Sequence, residues 1–240
     1  MLVDKPSVVF LPGQLSTARM WLAQVEALAD VAEVQVADQN RADTIEGIAR
    51  EVLAQCPPQF VLVAHGMAGF IAFEMLRREP WRFRGAALCG TLAAADNASQ
   101  TARRQRYLEL VAAGQFESII AERIPVVLHP ACRTDSTLTR TVRDMALETG
   151  TARFAAQTRA IMGRVDSRDR LSDIRCPVVL IWGRQDGMAT EAQQQEMLAA
   201  IPGARLQVLE DTGHFSMLER PAQVAAILRA FVQPLAQSAQ

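Results

Sequence analysis

The sequence predicts an α/β protein: a mostly parallel sheet of about six strands, flanked by helices and interrupted by a helical insertion. Three observations carry this. Several short apolar runs rich in Val, Leu and Ile recur along the 240 residues, the pattern of a parallel sheet covered by helices. Longer segments of helical period separate them, the order that builds parallel crossover units. From Ala93 to about Arg170 the alternation lapses into Ala- and Arg-rich helical patterning with no convincing strand.

Strands are expected at Ser7 to Leu11, Glu33 to Ala37, Phe60 to Ala64, Gly85 to Cys89, Val178 to Trp182 and Arg205 to Leu209. Helices are expected at about Ala18 to Ala29, Thr44 to Gln55, Met67 to Arg78, Ala189 to Ala200 and Pro221 to Val232. Pro57-Pro58, Pro80 and Pro202-Gly203 stop three of these, because proline cannot continue the hydrogen-bond ladder. Val224, Ile227, Leu228 and Phe231 give the last helix one apolar face for docking on the sheet. Within the insertion, Tyr107, Leu108, Val111 and Phe116, then Leu138, Val142, Met145 and Leu147, form apolar faces of separate helices. Asp135 or Ser136 can cap the second group and Gly150 can end it. The core is thus residues 1–92 and 171–240, the insertion is 93–170, and only Gln233 to Gln240 reads as a loose tail.

Composition narrows the function. Lys+Arg is 25 against Asp+Glu 26, a formal net charge of -1, so no global field attracts a nucleic acid. Lys5 is the only lysine and stands far from any Gly-rich loop, which excludes a Walker-type or Schiff-base lysine. Cys56, Cys89, Cys132 and Cys176 form no C-x-x-C pair, and His65, His129 and His214 share no metal-ligand spacing, so neither a metal nor another cofactor is expected. The first residues lack a basic segment followed by a long apolar run, and no run approaches a membrane span. A cytoplasmic protein acting on a small molecule is expected, with no nucleic-acid or membrane partner and an oligomeric state that one sequence leaves open.

The third strand runs into Ala64-His65-Gly66-Met67-Ala68-Gly69 and then a helix. A strand, a tight turn of small residues and a helix form the nucleophile elbow, which holds one side chain over the helix N-terminus. Asp186 follows the strand ending Leu180-Ile181-Trp182-Gly183, and His214 lies in Asp211-Thr212-Gly213-His214-Phe215 after the last strand. This ordered series resembles the α/β-hydrolase superfamily, in its small esterase-like branch, where the elbow usually reads G-H-S-M-G-G. The resemblance implies an α/β-hydrolase fold with a helical cap insertion. It also implies a catalytic set of residue 66, Asp186 as the acid that orients the imidazole, and His214 as the general base. Phe10-Leu11-Pro12-Gly13-Gln14 is similar to the family's first oxyanion loop, so the backbone N–H groups of Gln14 and Met67 are the implied oxyanion donors. Asp211 is expected only to stabilise its turn, His65 to pack, and His129 to be an exposed loop residue.

Gly66 departs from the family pattern, because that position normally carries the serine nucleophile. Glycine tolerates the strained elbow conformation, yet it offers no oxygen for an acyl-enzyme. A carboxylic-ester hydrolase that is inactive or strongly impaired is therefore the leading expectation. Two alternatives stand beside it: a non-catalytic small-molecule binder using the inherited pocket, and an Asp186/His214 general-base enzyme, lyase-like or a cofactor-free oxygenase, that forms no covalent intermediate. The apolar insertion faces suggest an uncharged or weakly polar acyl group; Arg103, Arg104 and Arg106 could bind an anion, although a solvated helix face is the leading expectation for them.

Overall fold

The computed structural model describes residues 5–40 and 42–237. Strands β1 (Ser7–Leu11), β2 (Glu33–Val36), β3 (Phe60–His65), β4 (Phe83–Cys89), β5 (Val178–Gly183) and β6 (Arg205–Leu209) form one sheet in the order β2-β1-β3-β4-β5-β6. Every neighbouring pair is parallel. All residues of β3 and β5 are buried, whereas the edge strands β2 and β6 alternate and put Glu33, Gln35, Arg205 and Gln207 toward solvent. Polar edges of this kind discourage pairing with another sheet.

Alternate strand residues feed two cores. Val9, Leu11, Leu62, Ala64, Leu88 and Leu180 pack with helices α2 (Ile45–Leu53) and α3 (Met67–Arg78). Val8, Phe10, Val61, Val63, Ala87 and Ile181 pack on the opposite face with α1 (Leu22–Leu28) and α9 (Pro221–Gln237). Between β4 and β5 the chain runs through α4 (Ala98–Ala112), α5 (Phe116–Val127) and α6 (Ser136–Met162). These helices join around Tyr107, Phe116, Ile119, Ile120 and Phe154, into which Leu15 of the core also inserts. Two short helices complete the second half, α7 (Glu191–Ala200) and α8 (Ser216–Glu219). Asn97 with Gln100 and Thr190 with Gln193 form capping boxes that start α4 and α7.

Four expectations needed correction. The first helix opens as a 3-10 turn, Ala18–Trp21, capped by Thr17, before the α-helical part begins. Gly150 does not end its helix: at φ 74° it breaks α6 into two pieces, and the second continues because Phe154, Thr158 and Ile161 are buried. Leu147, assigned to the inner face, is exposed. The tail from Gln233 continues α9 to Gln237 despite Pro234, because Leu235 closes over Gly85 and its carbonyl accepts from Arg84 at 2.7 Å. The rest of the expected tail, 238–240, lies outside the described residues. Among the described residues no helix is long and apolar enough to cross a membrane.

The topology sets where a site can form. From β1 the chain moves outward to β2 and returns to β3 on the other flank, so the loops leaving β1 and β3 diverge at the carboxyl ends of the strands and open a crevice there. Two buried groups hold the backbone around that crevice. His65 ends β3, stacks on Phe215 with ring centroids 5.3 Å apart, and its Nε2–H donates to the carbonyl of His214 at 3.0 Å. Glu219 accepts from the N–H groups of Gly213 and His129 through one oxygen, at 3.0 and 3.1 Å.

Glu219→Ala should leave two largely buried N–H donors without an acceptor and lower stability by about 2 kcal/mol or more in urea denaturation. Glu219→Gln keeps an acceptor oxygen and should lose much less; equal losses would mean that these bonds do not hold the loop. Burial, then the nearby His214 ring, holds the His65 imidazole well below the usual histidine value. The unfolded chain therefore takes up a proton below about pH 6.5 that the folded chain refuses, so this contribution is present above that pH and lost as pH falls. Between pH 7 and 5.5 the stability of the native chain should fall more steeply than that of His65→Asn, by up to about 1.4 kcal/mol per pH unit.

Candidate active site

Five loops leaving strand carboxyl ends converge over the crevice, and each delivers one component. After β3, Gly66 sits at φ 53°, ψ −114° and passes directly into α3. Its N–H donates to the Cys89 carbonyl at 2.9 Å, while its own carbonyl accepts from the Gly69 N–H and the Thr91 hydroxyl at 3.0 and 2.8 Å. Three partners thus fix a backbone geometry that side-chain-bearing residues adopt only at a cost of about 1–3 kcal/mol. Small size is demanded nearby as well: a Cβ on Gly69 would stand 2.0 Å from the Thr91 hydroxyl oxygen.

Asp186 follows β5 in a tight turn. One carboxylate oxygen accepts from the N–H groups of Met188 and Ala189 at 2.7 and 3.0 Å, and the other faces His214 Nδ1 at 2.9 Å. The Asp186 side chain is fully shielded from solvent. A carboxylate can only accept, so Nδ1 carries the proton and the Nε2 lone pair of His214 is left facing residue 66. A Cβ built on Gly66 lies 3.2 Å from that Nε2. The three residues singled out in the sequence, 66, 186 and 214, therefore meet at one place.

The His214 backbone is held from a different direction. Its N–H and that of Phe215 donate to the carbonyl of Val127, the last residue of α5, at 2.9 and 3.3 Å. Asp211 sits in the turn below at φ 49°, with its carbonyl accepting from Arg220 at 2.6 Å. His129 is half-buried rather than exposed, and its Nδ1 accepts from the Ala131 N–H at 3.2 Å.

After β1, Gln14 is buried and its side chain donates to Thr158 of α6 at 3.0 Å. The next residue, Leu15, is held at φ 57°, a strained conformation stabilised by its burial among the insertion helices. Neither the Gln14 nor the Met67 N–H donates to a protein acceptor among the described residues. Gln14, Gly66, Met67, Gly90 and His214 line one pocket with about 560 Å³ of space, part of it open to solvent. A larger groove along α2 and α3, about 1430 Å³ on the same measure, shares only Phe70 with it and lacks His214.

Gly90 escaped the sequence reading. It follows β4 at φ 53°, and a Cβ there would come within 3.0 Å of both Asp186 Oδ2 and His214 Nδ1, wedging the pair apart. Its signal, a glycine directly after a strand, is shared with many turns. The arginines need a correction. Only Arg106 is exposed; Arg104 is buried, Arg103 is half-buried, and both line the pocket instead of forming a solvated face. Among the described residues no group of three His, Cys, Asp or Glu side chains is placed to hold a metal ion.

Comparison with known proteins agrees with this architecture. A pimeloyl-[acyl-carrier protein] methyl ester esterase of Neisseria meningitidis is 26% identical over 196 residues, 79% of this chain and 75% of that protein. The structure of a thermophilic esterase from Thermogutta terrifontis superposes with a TM-score of 0.88 at 25% identity, covering 98% of this chain and 91% of the other. The enol-lactonase of Burkholderia xenovorans LB400, at 23% identity and a TM-score of 0.87 over 95% of this chain and 91% of its own, shares the fold. Residues 8–227 match the profile of the Alpha/beta hydrolase family. With nine-tenths of its length in that match and its strands in the order described, the chain belongs to the α/β-hydrolase family.

Proposed function

We propose that the chain is a carboxylic-ester hydrolase scaffold for a small-molecule substrate in which the base, its orienting acid and the oxyanion donors are assembled around a tip that lacks a nucleophile. One observation carries the reading: the Cβ position of residue 66 lies 3.2 Å from the free Nε2 of His214, within reach of a hydroxyl placed one bond further out. Asp186 holds the imidazole in the tautomer that accepts a proton at Nε2. The N–H groups of Gln14 and Met67 supply the donors for a tetrahedral oxyanion. Residues 93–170 serve as the cap of this pocket, contributing Gln100, Arg103, Arg104 and Arg123 to its wall.

With serine at position 66 the cycle closes. The hydroxyl gives its proton to His214 Nε2 as oxygen attacks the ester carbonyl, His214 returns that proton to the departing alcohol, and water repeats the sequence on the acyl-enzyme. With glycine there, no acyl-enzyme forms at this position. By analogy with the loss of a triad serine, turnover should lie about 10⁴–10⁶-fold below that of a serine-bearing counterpart.

Gly66→Ser should hydrolyse a short aryl ester such as 4-nitrophenyl acetate at least about 10³-fold faster than the native chain, and adding His214→Ala should abolish the gain. Gly66→Ala should gain nothing. A folded Gly66→Ser protein without esterase activity overturns the proposal. His214-dependent hydrolysis by the native chain without a covalent adduct would instead make water the attacking group. Both substitutions place a side chain at φ 53° and push the His214 ring by a few tenths of an ångström. Each should therefore lower stability by about 1–3 kcal/mol, seen as a drop of about 2–4 °C in Tm per kcal/mol.

A further inference from the structure

The pocket wall built by α4 and α5 carries more positive charge than the protein neutralises. Arg104 is committed to Asp96 at 2.6 Å, and the same carboxylate takes Arg164 at 2.8 Å. Arg106 pairs with Glu122, which also accepts from the Tyr107 hydroxyl at 2.9 Å. Arg103 and Arg123 line the pocket beside His214, yet neither has a carboxylate within 4 Å among the described residues. The near neighbour of Arg123 is the phenol of Tyr107, a neutral group.

Arg123 is only partly open to solvent, and the polar side chain it interacts with is the Tyr107 hydroxyl. It is half-buried, and it stands between the pocket and a second small hollow lined by Leu15, Ile120, Ile124, Val142 and Ala146. Burial pulls its pKa down to about 10, and the charges of Arg104 and Arg103 add to the depression while Tyr107 opposes it. It is nonetheless a cation at neutral pH. A desolvated guanidinium without a counter-ion is unfavourable, and two of them on one wall repel each other, so an anion entering there relieves both penalties.

We propose that Arg103 and Arg123 form a carboxylate subsite, so that the ligand of this pocket is a small ester or lactone carrying a free carboxylate away from the bond that faces His214. A carboxylate matches the planar fork of a guanidinium, and two such forks give it four donors. The ester end of this assignment rests on the hydrolase reading above; the anion end does not. It replaces the uncharged acyl group expected from the apolar faces of the insertion.

Binding to the native chain, which needs no turnover, tests it. Isothermal titration calorimetry with monomethyl glutarate and its neutral counterpart dimethyl glutarate should show the monoanion bound about tenfold or more tightly. Arg123→Gln and Arg103→Gln should each remove most of that preference, Arg123→Lys should retain part of it, and Arg153→Gln, on the exposed face of α6, should leave it unchanged. Should a pocket variant fail to fold, the salt dependence of the native chain decides: affinity for the monoanion should fall with added sodium chloride while that for the diester holds. Equal affinities, a preference that survives in the double variant, or no binding of the monoester up to about 10 mM each overturn the subsite. If Gly66→Ser fails on esters while the anion preference stands, only the hydrolase reading falls. If it hydrolyses neutral esters with no anion preference, only the subsite falls.

Discussion

The hydrogen bond between His214 Nδ1 and Asp186 Oδ2 joins the loops that follow β6 and β5, and much of the surrounding structure keeps its 2.9 Å length possible. The carboxylate is fixed from behind by two backbone N–H groups of its own turn. The imidazole is fixed through its backbone, by the Val127 carbonyl on one side and the His65 ring on the other. Gly90 keeps the space beside the pair clear. These restraints come from four strands and one insertion helix, so the proton-accepting nitrogen is positioned by the whole sheet rather than by its own loop.

Residue 66 shows the same dependence in reverse. Its backbone conformation is set by Cys89, Gly69 and Thr91, none of which depends on the side chain at the tip. The elbow therefore persists with glycine in it, and strain that a serine would introduce is absent. Shape and reactivity are separable here: the turn belongs to the fold, while the attacking atom belongs to one side chain.

Much of this was legible in the sequence. The inner strands were visible because a parallel sheet buried on both faces writes uninterrupted apolar runs, the edge strands β2 and β6 kept only alternate apolar residues, and the prolines after α2, α3 and α7 marked the ends of those helices. The positions of residues 66, 186 and 214 followed from motifs that each sit just after a strand. What stayed hidden depended on pairing between distant segments. Glu219 reads as a surface acid until the Gly213 and His129 amides turn toward it. Gly150 looks like a helix end unless the burial of Phe154 and Ile161 beyond it is known. The arginines of α4 and α5 have the composition of a solvated face, and only the location of Asp96 and Glu122 shows which of them are left without a counter-charge.

The two hydrogen bonds that the His214 and Phe215 N–H groups donate to the Val127 carbonyl tie the His214 loop to the carboxyl end of α5. A lid hinged near residues 93 and 170 and swinging away as one body would tear them and take the proton acceptor out of register. A ligand that reaches the pocket with these two bonds intact does so with the end of α5 still docked on the sheet.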